Sequence, residues 1–221
     1  MIPDEMREHY RLSEQVHVSD HPLVLHKLAL LRNRETEPKK FRQLLREISV
    51  LLFYEATRDL VLAPLTVQTP LGDCLSDEMT ECIGLMPVLR AGLGMAEALL
   101  DVMPTAQVWH VGIYRDHETL DPVIYYNKLT TQSDIDLAIV LDPMLATGGS
   151  AVEAVNILRE YWDASRIKYL GVIAAPEGIY RLSQAHPDVS IYLAAVDSHL
   201  DERGYIFPGL GDAGDRQFGT G

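Results

Sequence analysis

Asp142 and the stretch Thr147-Gly148-Gly149-Ser150 hold the side chains and backbone best suited to chemistry in this chain. A carboxylate at 142 can accept hydrogen bonds from paired sugar hydroxyls. Two adjacent glycines let the backbone approach a ligand closely and take positive φ at little cost. Thr147 and Ser150 add hydroxyl donors. A helix starting at this point presents free N–H groups and the positive end of its dipole, which together cradle a phosphate. The ligand so described is a phosphorylated ribose. No Lys follows the glycines as in a Walker loop, and the Gly-x-Gly-x-x-Gly of a dinucleotide site is missing here. Taken alone, Thr-Gly-Gly-Ser serves equally well to start a helix after a buried strand.

The flanking elements favour the phosphate cradle. Leu137 to Leu141 is an apolar run broken only by alanine, as in a strand buried on both faces of a parallel sheet. Asp142 ends it at the open edge of that sheet. Ala151, Ala154, Val155 and Leu158 give the following segment, to Tyr161, one apolar side at helical spacing. Strand, acid, glycine turn and amphipathic helix therefore fall in register.

The pattern occurs twice. Cys82 to Leu89 reads as a buried strand, Arg90-Ala91-Gly92-Leu93-Gly94 as a glycine loop, and Met95 to Val102 as a helix. An arginine at a strand's carboxyl end suits an anion such as pyrophosphate, through charge-assisted hydrogen bonds. A surface arginine beside a packing glycine is the plainer alternative. Further on, Ile167–Ala174 reads as a strand, Glu177–Ala185 as a helix and Val189–Val196 as a strand. Strand–helix–strand–helix–strand from 137 onward predicts an α/β fold, a doubly wound parallel sheet with ligands outside the carboxyl ends of its strands.

The rest of the chain frames these loops. Residues 1–20 form a polar arm. His21-Pro22 opens a helix to about Arg34, and Pro38 opens a second to about Leu60; these two helices could contribute an oligomer contact. His21 and His26, five apart, share no helix face and are read as structural. Ala63–Thr69 reads as a strand and Gly72–Thr80 as an exposed turn. Gln107–Tyr114 and Asp121–Lys128 have the β-branched and aromatic content of a hairpin arm. The last stretch, 204–220, is glycine-rich, yet Tyr205, Ile206, Phe207, Leu210 and Phe218 predict an ordered loop packed on something. Its backbone N–H and C=O groups can match the edge of a flat, uncharged ring such as uracil.

With 221 residues, one domain spanning 1–221 is the simplest count, and a sizeable core can be buried. A net charge of −13 argues against nucleic acid as a partner, since phosphates need cationic neutralisation. Any polyanion site must then be locally basic. No stretch approaches the roughly 18 apolar residues of a membrane span, and Met1–Arg11 lacks the apolar core of a signal peptide. Cys74 and Cys82 match no zinc spacing and read as free thiols in a reducing compartment, the cytoplasm.

Four stretches now carry a resemblance. Asp142-Pro143-Met144-Leu145-Ala146-Thr147-Gly148-Gly149-Ser150 resembles the phosphoribosyl pyrophosphate (PRPP) loop of the type I phosphoribosyltransferases, in the form of the uracil branch. Pro143 stands where many other branches carry a second acid, leaving one carboxylate for the ribose. Pro87–Gly94 resembles the family's pyrophosphate loop, with Arg90 on its PRPP-binding arginine. The stretch from Arg115 to Lys128 resembles its mobile loop, with Arg115 on a ligand-contacting arginine. Residues 204–220 resemble its uracil-binding hood: Ile206, Gly211, Asp212 and Ala213 fall on base-binding positions, and Asp212 on a PRPP-binding carboxylate.

The resemblance covers about His21 to Thr220. It implies the type I phosphoribosyltransferase fold with a β-arm and a C-terminal hood. It implies PRPP bound by Arg90, Arg115, residues Asp142 to Ser150 and Asp212, with Arg90, Arg115, Asp142 and Asp212 serving catalysis. The implied reaction is uracil + PRPP → UMP + pyrophosphate, with Mg²⁺ held mainly through PRPP and not by a protein metal site. A homodimer or larger assembly is implied, and in some members GTP activation. Two alternatives stand beside it: a non-catalytic PRPP- or UMP-sensing regulator on the same fold, and a transferase for another base.

Overall fold

The computed structural model describes residues 14–115, 122–129, 134–162 and 166–220. Strand β1 (Val16–Val18) precedes helices α1 (Pro22–Arg32) and α2 (Pro38–Ala56), each with Pro in its first turn, where a missing N–H costs least. His21 caps α1: its Nδ1 accepts the Leu23 N–H at 3.1 Å. Strands β2 (Leu62–Thr69) and β3 (Gly72–Met79) pair antiparallel. Next come β4 (Ile83–Leu89), α3 (Leu93–Val102), β5 (Gln107–Val108), β6 (Val111–Arg115) and β7 (Pro122–Asn127). They are followed by β8 (Leu137–Leu141), β9 (Met144–Leu145), α4 (Gly149–Tyr161), β10 (Arg166–Leu170), β11 (Ile173–Ala174) and α5 (Pro176–Ala185). The chain continues through β12 (Ser190–Leu193), β13 (Ala195–Val196), β14 (His199–Leu200), β15 (Ile206–Phe207) and α6 (Ala213–Phe218).

The main sheet runs β1-β12-β10-β8-β4-β6-β7, with β5 also beside β4. Every pairing in it is parallel except β6 with β7. A short parallel sheet, β13-β11-β9, follows the ends of β12, β10 and β8. Side chains alternate between two cores, as period-2 strands require. Ile83, Leu85, Leu137, Ile139 and Leu141 face Phe41, Leu45, Ile48 and Leu52 of α2 and Met95 and Leu99 of α3. Met86, Val88, Ala138 and Val140 face Ala151, Ala154, Val155 and Leu158 of α4. The α/β, doubly wound parallel sheet is therefore as expected. Sheet order reverses direction in the chain between β4 and β8, the place where such sheets open a ligand crevice.

Four local expectations are corrected. Gly72–Thr80 is not a turn but strand β3, exposed yet fully paired with β2 from Gly72↔Thr69 to Met79↔Leu62. Residues 16–18, assigned to a free arm, form β1 on the sheet edge beside β12. The strands expected over 167–174 and 189–196 each divide in two, because Gly171 and Ala194 turn the chain into the small second sheet. Residues 1–13 of the expected arm, and 116–121 of the expected mobile loop, lie outside the described residues.

Candidate active site

Register pairs Pro87 with Leu141, so the loops bearing Arg90 and Asp142 leave the same end of adjacent strands. Gly92 lets them meet: a Cβ there would fall on the Leu141 carbonyl oxygen and crowd Val88. Between them opens a cavity of about 900 Å³, bordered by Arg90, Asp142, Ser150, Tyr205, Ile206 and Asp212. A smaller recess of about 80 Å³ adjoins it, lined by Ala146, Thr147, Gly148 and Ser150.

The recess is the start of α4. Gly148 stands at φ +78°, which turns the chain into the helix, and the N-terminal N–H groups have no side-chain cap. Behind it, Gly178 of α5 packs directly on the Leu145 and Ala146 carbonyls, with no room for a Cβ. The Ala175 N–H donates to the Leu145 carbonyl at 3.0 Å. The local sequence thus makes the cradle, and α5 supports it.

Asp142 is partly buried and borders the cavity. Burial pushes its carboxyl up to about 7, opposed by a hydrogen bond from the Met144 N–H and aided by the nearby negative charge of Asp212. Its own carbonyl accepts the Tyr169 hydroxyl at 2.9 Å. Burial also raises the Tyr169 phenol, so it stays a hydrogen-bond donor at all working pH.

Arg90 lies on the cavity wall and pairs with Asp215 at 3.2 Å, its guanidinium 5.9 Å from the Phe218 ring. The loop after β4 and the 204–220 segment are thereby joined. Asp212 caps α6, its Oδ1 accepting the Asp215 N–H at 2.9 Å. Ile206 is buried and borders the cavity from β15. Gly211, at φ +79°, turns the chain ahead of Asp212, and Ala213 packs into the core. The hood is held by the Arg32–Asp197 ion pair: both guanidinium ends donate to Asp197, which also accepts the Gly209 N–H at 2.9 Å. Of Arg115, only the backbone at the end of β6 is described, paired with Pro122.

Arg90, Asp142, Met144 to Gly148, Ser150, Ile206 and Asp212 line this cleft and its recess, whereas Pro143, Gly149, Gly211 and Ala213 are not among the lining residues. Four further contributors are not among the predicted site residues. Tyr169 signals itself only as a hydroxyl within a buried strand. Arg181 of α5 places its guanidinium beside Gly149, Nη1 3.3 Å from where a Cβ would stand. Arg32 and Asp197 act across 165 residues of sequence, a separation that no local pattern reveals.

A family model for uracil phosphoribosyltransferase matches residues 18–220. The chain belongs to the uracil phosphoribosyltransferase family. It is 64% identical over 208 residues to a uracil phosphoribosyltransferase of Roseiflexus castenholzii, covering 94% of this chain and all of that one. It is 55% identical over 207 residues to one of Halalkalibacterium halodurans, covering 93% and 99%. Among solved structures, the AQ2163 protein of Aquifex aeolicus is 38% identical with a TM-score of 0.86, over 93% of this chain and 98% of that one. An adenine phosphoribosyl transferase of Trypanosoma brucei shares the fold at 12% identity and TM-score 0.52, over 90% and 89%. Family membership makes the chain a pentosyltransferase, a glycosyltransferase acting through a ribosyl carbon.

Proposed function

We propose that the cleft joins uracil to PRPP, giving UMP and pyrophosphate, and that its residues divide the work as follows. The backbone from Ala146 to Ser150 holds the 5′-phosphate at the start of α4. Asp142 accepts the ribose hydroxyls, with Pro143, Met144 and Leu145 shaping the floor. Arg90, joined by Arg115, neutralises the departing diphosphate. Ile206, Gly211, Asp212 and Ala213 offer backbone groups to the uracil edge. The bond from ribose C1 to diphosphate oxygen breaks as the bond to uracil N1 forms, and the N1 proton passes to water or to the departing diphosphate. Charge stabilisation and alignment supply most of the rate in this scheme.

The carrying observation is the convergence of Arg90, Asp142, the α4 N-terminus and Ile206 on one cavity. Two acids facing one cleft, with Asp212 helping to raise the Asp142 carboxyl, fit a magnesium ion arriving on the substrate's phosphates. Magnesium binds in this way, keeping several waters, and does not require a dedicated protein cage. When bound it would add positive charge beside the leaving diphosphate, with Asp212 on its protein side.

A second copy of the chain belongs to the working enzyme in this proposal. The β2–β3 ribbon stands off the body with Leu71 fully exposed and Leu75 82% exposed. A two-stranded ribbon is marginal in water by itself, and a partner protomer would cover its apolar side chains. Sedimentation should give a dimer or larger, and Leu71→Ser with Leu75→Ser should shift it toward monomer. The free thiols Cys74 and Cys82 suit the reducing cytoplasm, where phosphorylated ribose is made and used.

The deciding experiment is UMP formation from uracil, PRPP and Mg²⁺, beside cytosine, hypoxanthine and orotate, with and without GTP. UMP from uracil alone supports the proposal, and a GTP-dependent rise would show effector control. PRPP binding with no product from any base would favour a sensor, and product from another base would mean that the hood reads a different ring.

A further inference from the structure

Helix α5 touches both halves of the site. Its first turn supports the phosphate loop, through Gly178 against the Leu145 and Ala146 carbonyls and through the Ala175 N–H. Glu177, just before Gly178, reaches the other way. Its Oε1 accepts the Leu200 N–H at 3.1 Å, and Leu200 pairs with Ile206 across the β14–β15 ladder. Ile206 borders the cavity where the base is placed. One residue therefore stands between the backbone that cradles phosphate and the strand that faces the base.

Its second oxygen sharpens the point. Oε2 is buried and has no hydrogen-bond partner among the described residues. A buried carboxylate oxygen left unpaired opposes folding. The first turn of α5, whose dipole favours a negative charge, partly offsets this.

We propose that Glu177 is a positioning residue that couples the base site to the phosphate loop, so that filling one favours filling the other. The proposal rests on the uracil–PRPP assignment of the cleft and adds to it a path between the two substrates. Such coupling is reciprocal by thermodynamic necessity.

The test uses Glu177→Ala and Glu177→Gln in the full chain. With Glu177→Ala, the uracil dissociation constant with ribose 5-phosphate bound and the ribose 5-phosphate dissociation constant with uracil bound should both rise about tenfold, a typical coupling factor, and the uracil KM should rise with them. The kcat should stay within about threefold, and calorimetric binding of ribose 5-phosphate to the free enzyme within about twofold. Glu177→Gln keeps an acceptor for the Leu200 N–H and should restore most of the uracil KM. Amide hydrogen exchange supplies a readout apart from activity: Leu200 and Ile206 should exchange faster in Glu177→Ala than in Glu177→Gln. An unchanged uracil KM in Glu177→Ala would overturn the proposal. So would equal damage by both variants to uracil KM, ribose 5-phosphate binding and thermal stability, which marks a residue needed only for folding. If the wild-type protein makes no UMP, the assignment of the cleft fails by itself, and the exchange data still report whether Glu177 holds the hood strand.

Discussion

Between Ala146 and Ser150 the chain takes its shape from backbone packing: Gly148 turns it, and Gly178 lies flush behind it. Between Gly204 and Thr220 the shape comes from side-chain bonds to distant parts of the chain. Arg216 donates to the carbonyls of Leu31 and Asn33 and lies 4.5 Å from the Phe41 ring. Arg42 donates to the Gln217 carbonyl, and Arg32 grips Asp197. In the proposed assignment the 146–150 backbone takes a phosphate, a group common to many ligands, and needs only main chain. The 204–220 segment takes one flat ring in that assignment, and it is anchored by hydrogen bonds to helices α1 and α2. Loss of a small atom's worth of space should therefore damage the first, and loss of one charge the second.

Gly178→Ala should break the cradle most severely. The new Cβ falls on the Ala146 carbonyl, and a shift near 1 Å in the loop predicts roughly a 100-fold loss in kcat/KM for PRPP. Steady-state kinetics with PRPP varied would show it; near-normal values would mean that α5 does not set the loop.

Asp142→Asn comes next. With the carboxyl raised to about 7, it is mostly neutral below that pH and ionised above it. Hydrogen bonds to the ribose hydroxyls favour the ionised form, so kcat/KM for PRPP should rise as pH passes through 7. The Asn variant should lose that rise and run roughly 30-fold lower at high pH, the scale of losing charged hydrogen bonds. Stability of the free protein has the opposite sign. The folded state holds the proton between about 4 and 7 while the unfolded chain does not, so the stabilisation is present at low pH and is lost through 7. A Tm that falls over this range in wild type, and not in the Asn variant, completes the check.

Arg32→Ala tests the hood. It leaves the buried Asp197 carboxylate without its cation, a change that costs about 3 kcal/mol or more. Thermal unfolding should drop by roughly 6–12 °C, and the uracil KM should rise while ribose 5-phosphate still binds. Equal losses for both ligands would erase the distinction between the two regions. The smallest effect is expected at Arg181, which has no ion pair among the described residues. Arg181→Ala should raise the PRPP KM about threefold at low salt, and the difference should shrink as salt screens it.

The same contrast explains what could be read from sequence. Leu137–Leu141, Asp142 and Thr147–Ser150 are contiguous, and their chemistry follows from neighbours. Arg90 is legible because a glycine loop follows its strand. Strand β3 was hidden because Asp73, Ser76, Asp77 and Glu78 give it no apolar face; only pairing with β2 makes it a strand. Val16–Val18 is too short to announce itself apart from β12. Glu177, Arg32 and Asp197 are ordinary charged residues until the fold brings their partners to them.

One edge of the sheet has a consequence for how the protein is made. Strand β1 pairs Val16 with Ile191, and Gln15 meets Ser190 across a separation of 175 residues. On a ribosome adding about 5–20 residues per second, the segment that becomes β1 waits roughly 9–35 s before its neighbour exists. Through that interval its two valines have no sheet to join, and the last parallel strand must close the longest loop in the sheet. A strand made early is thus among the last to find its place.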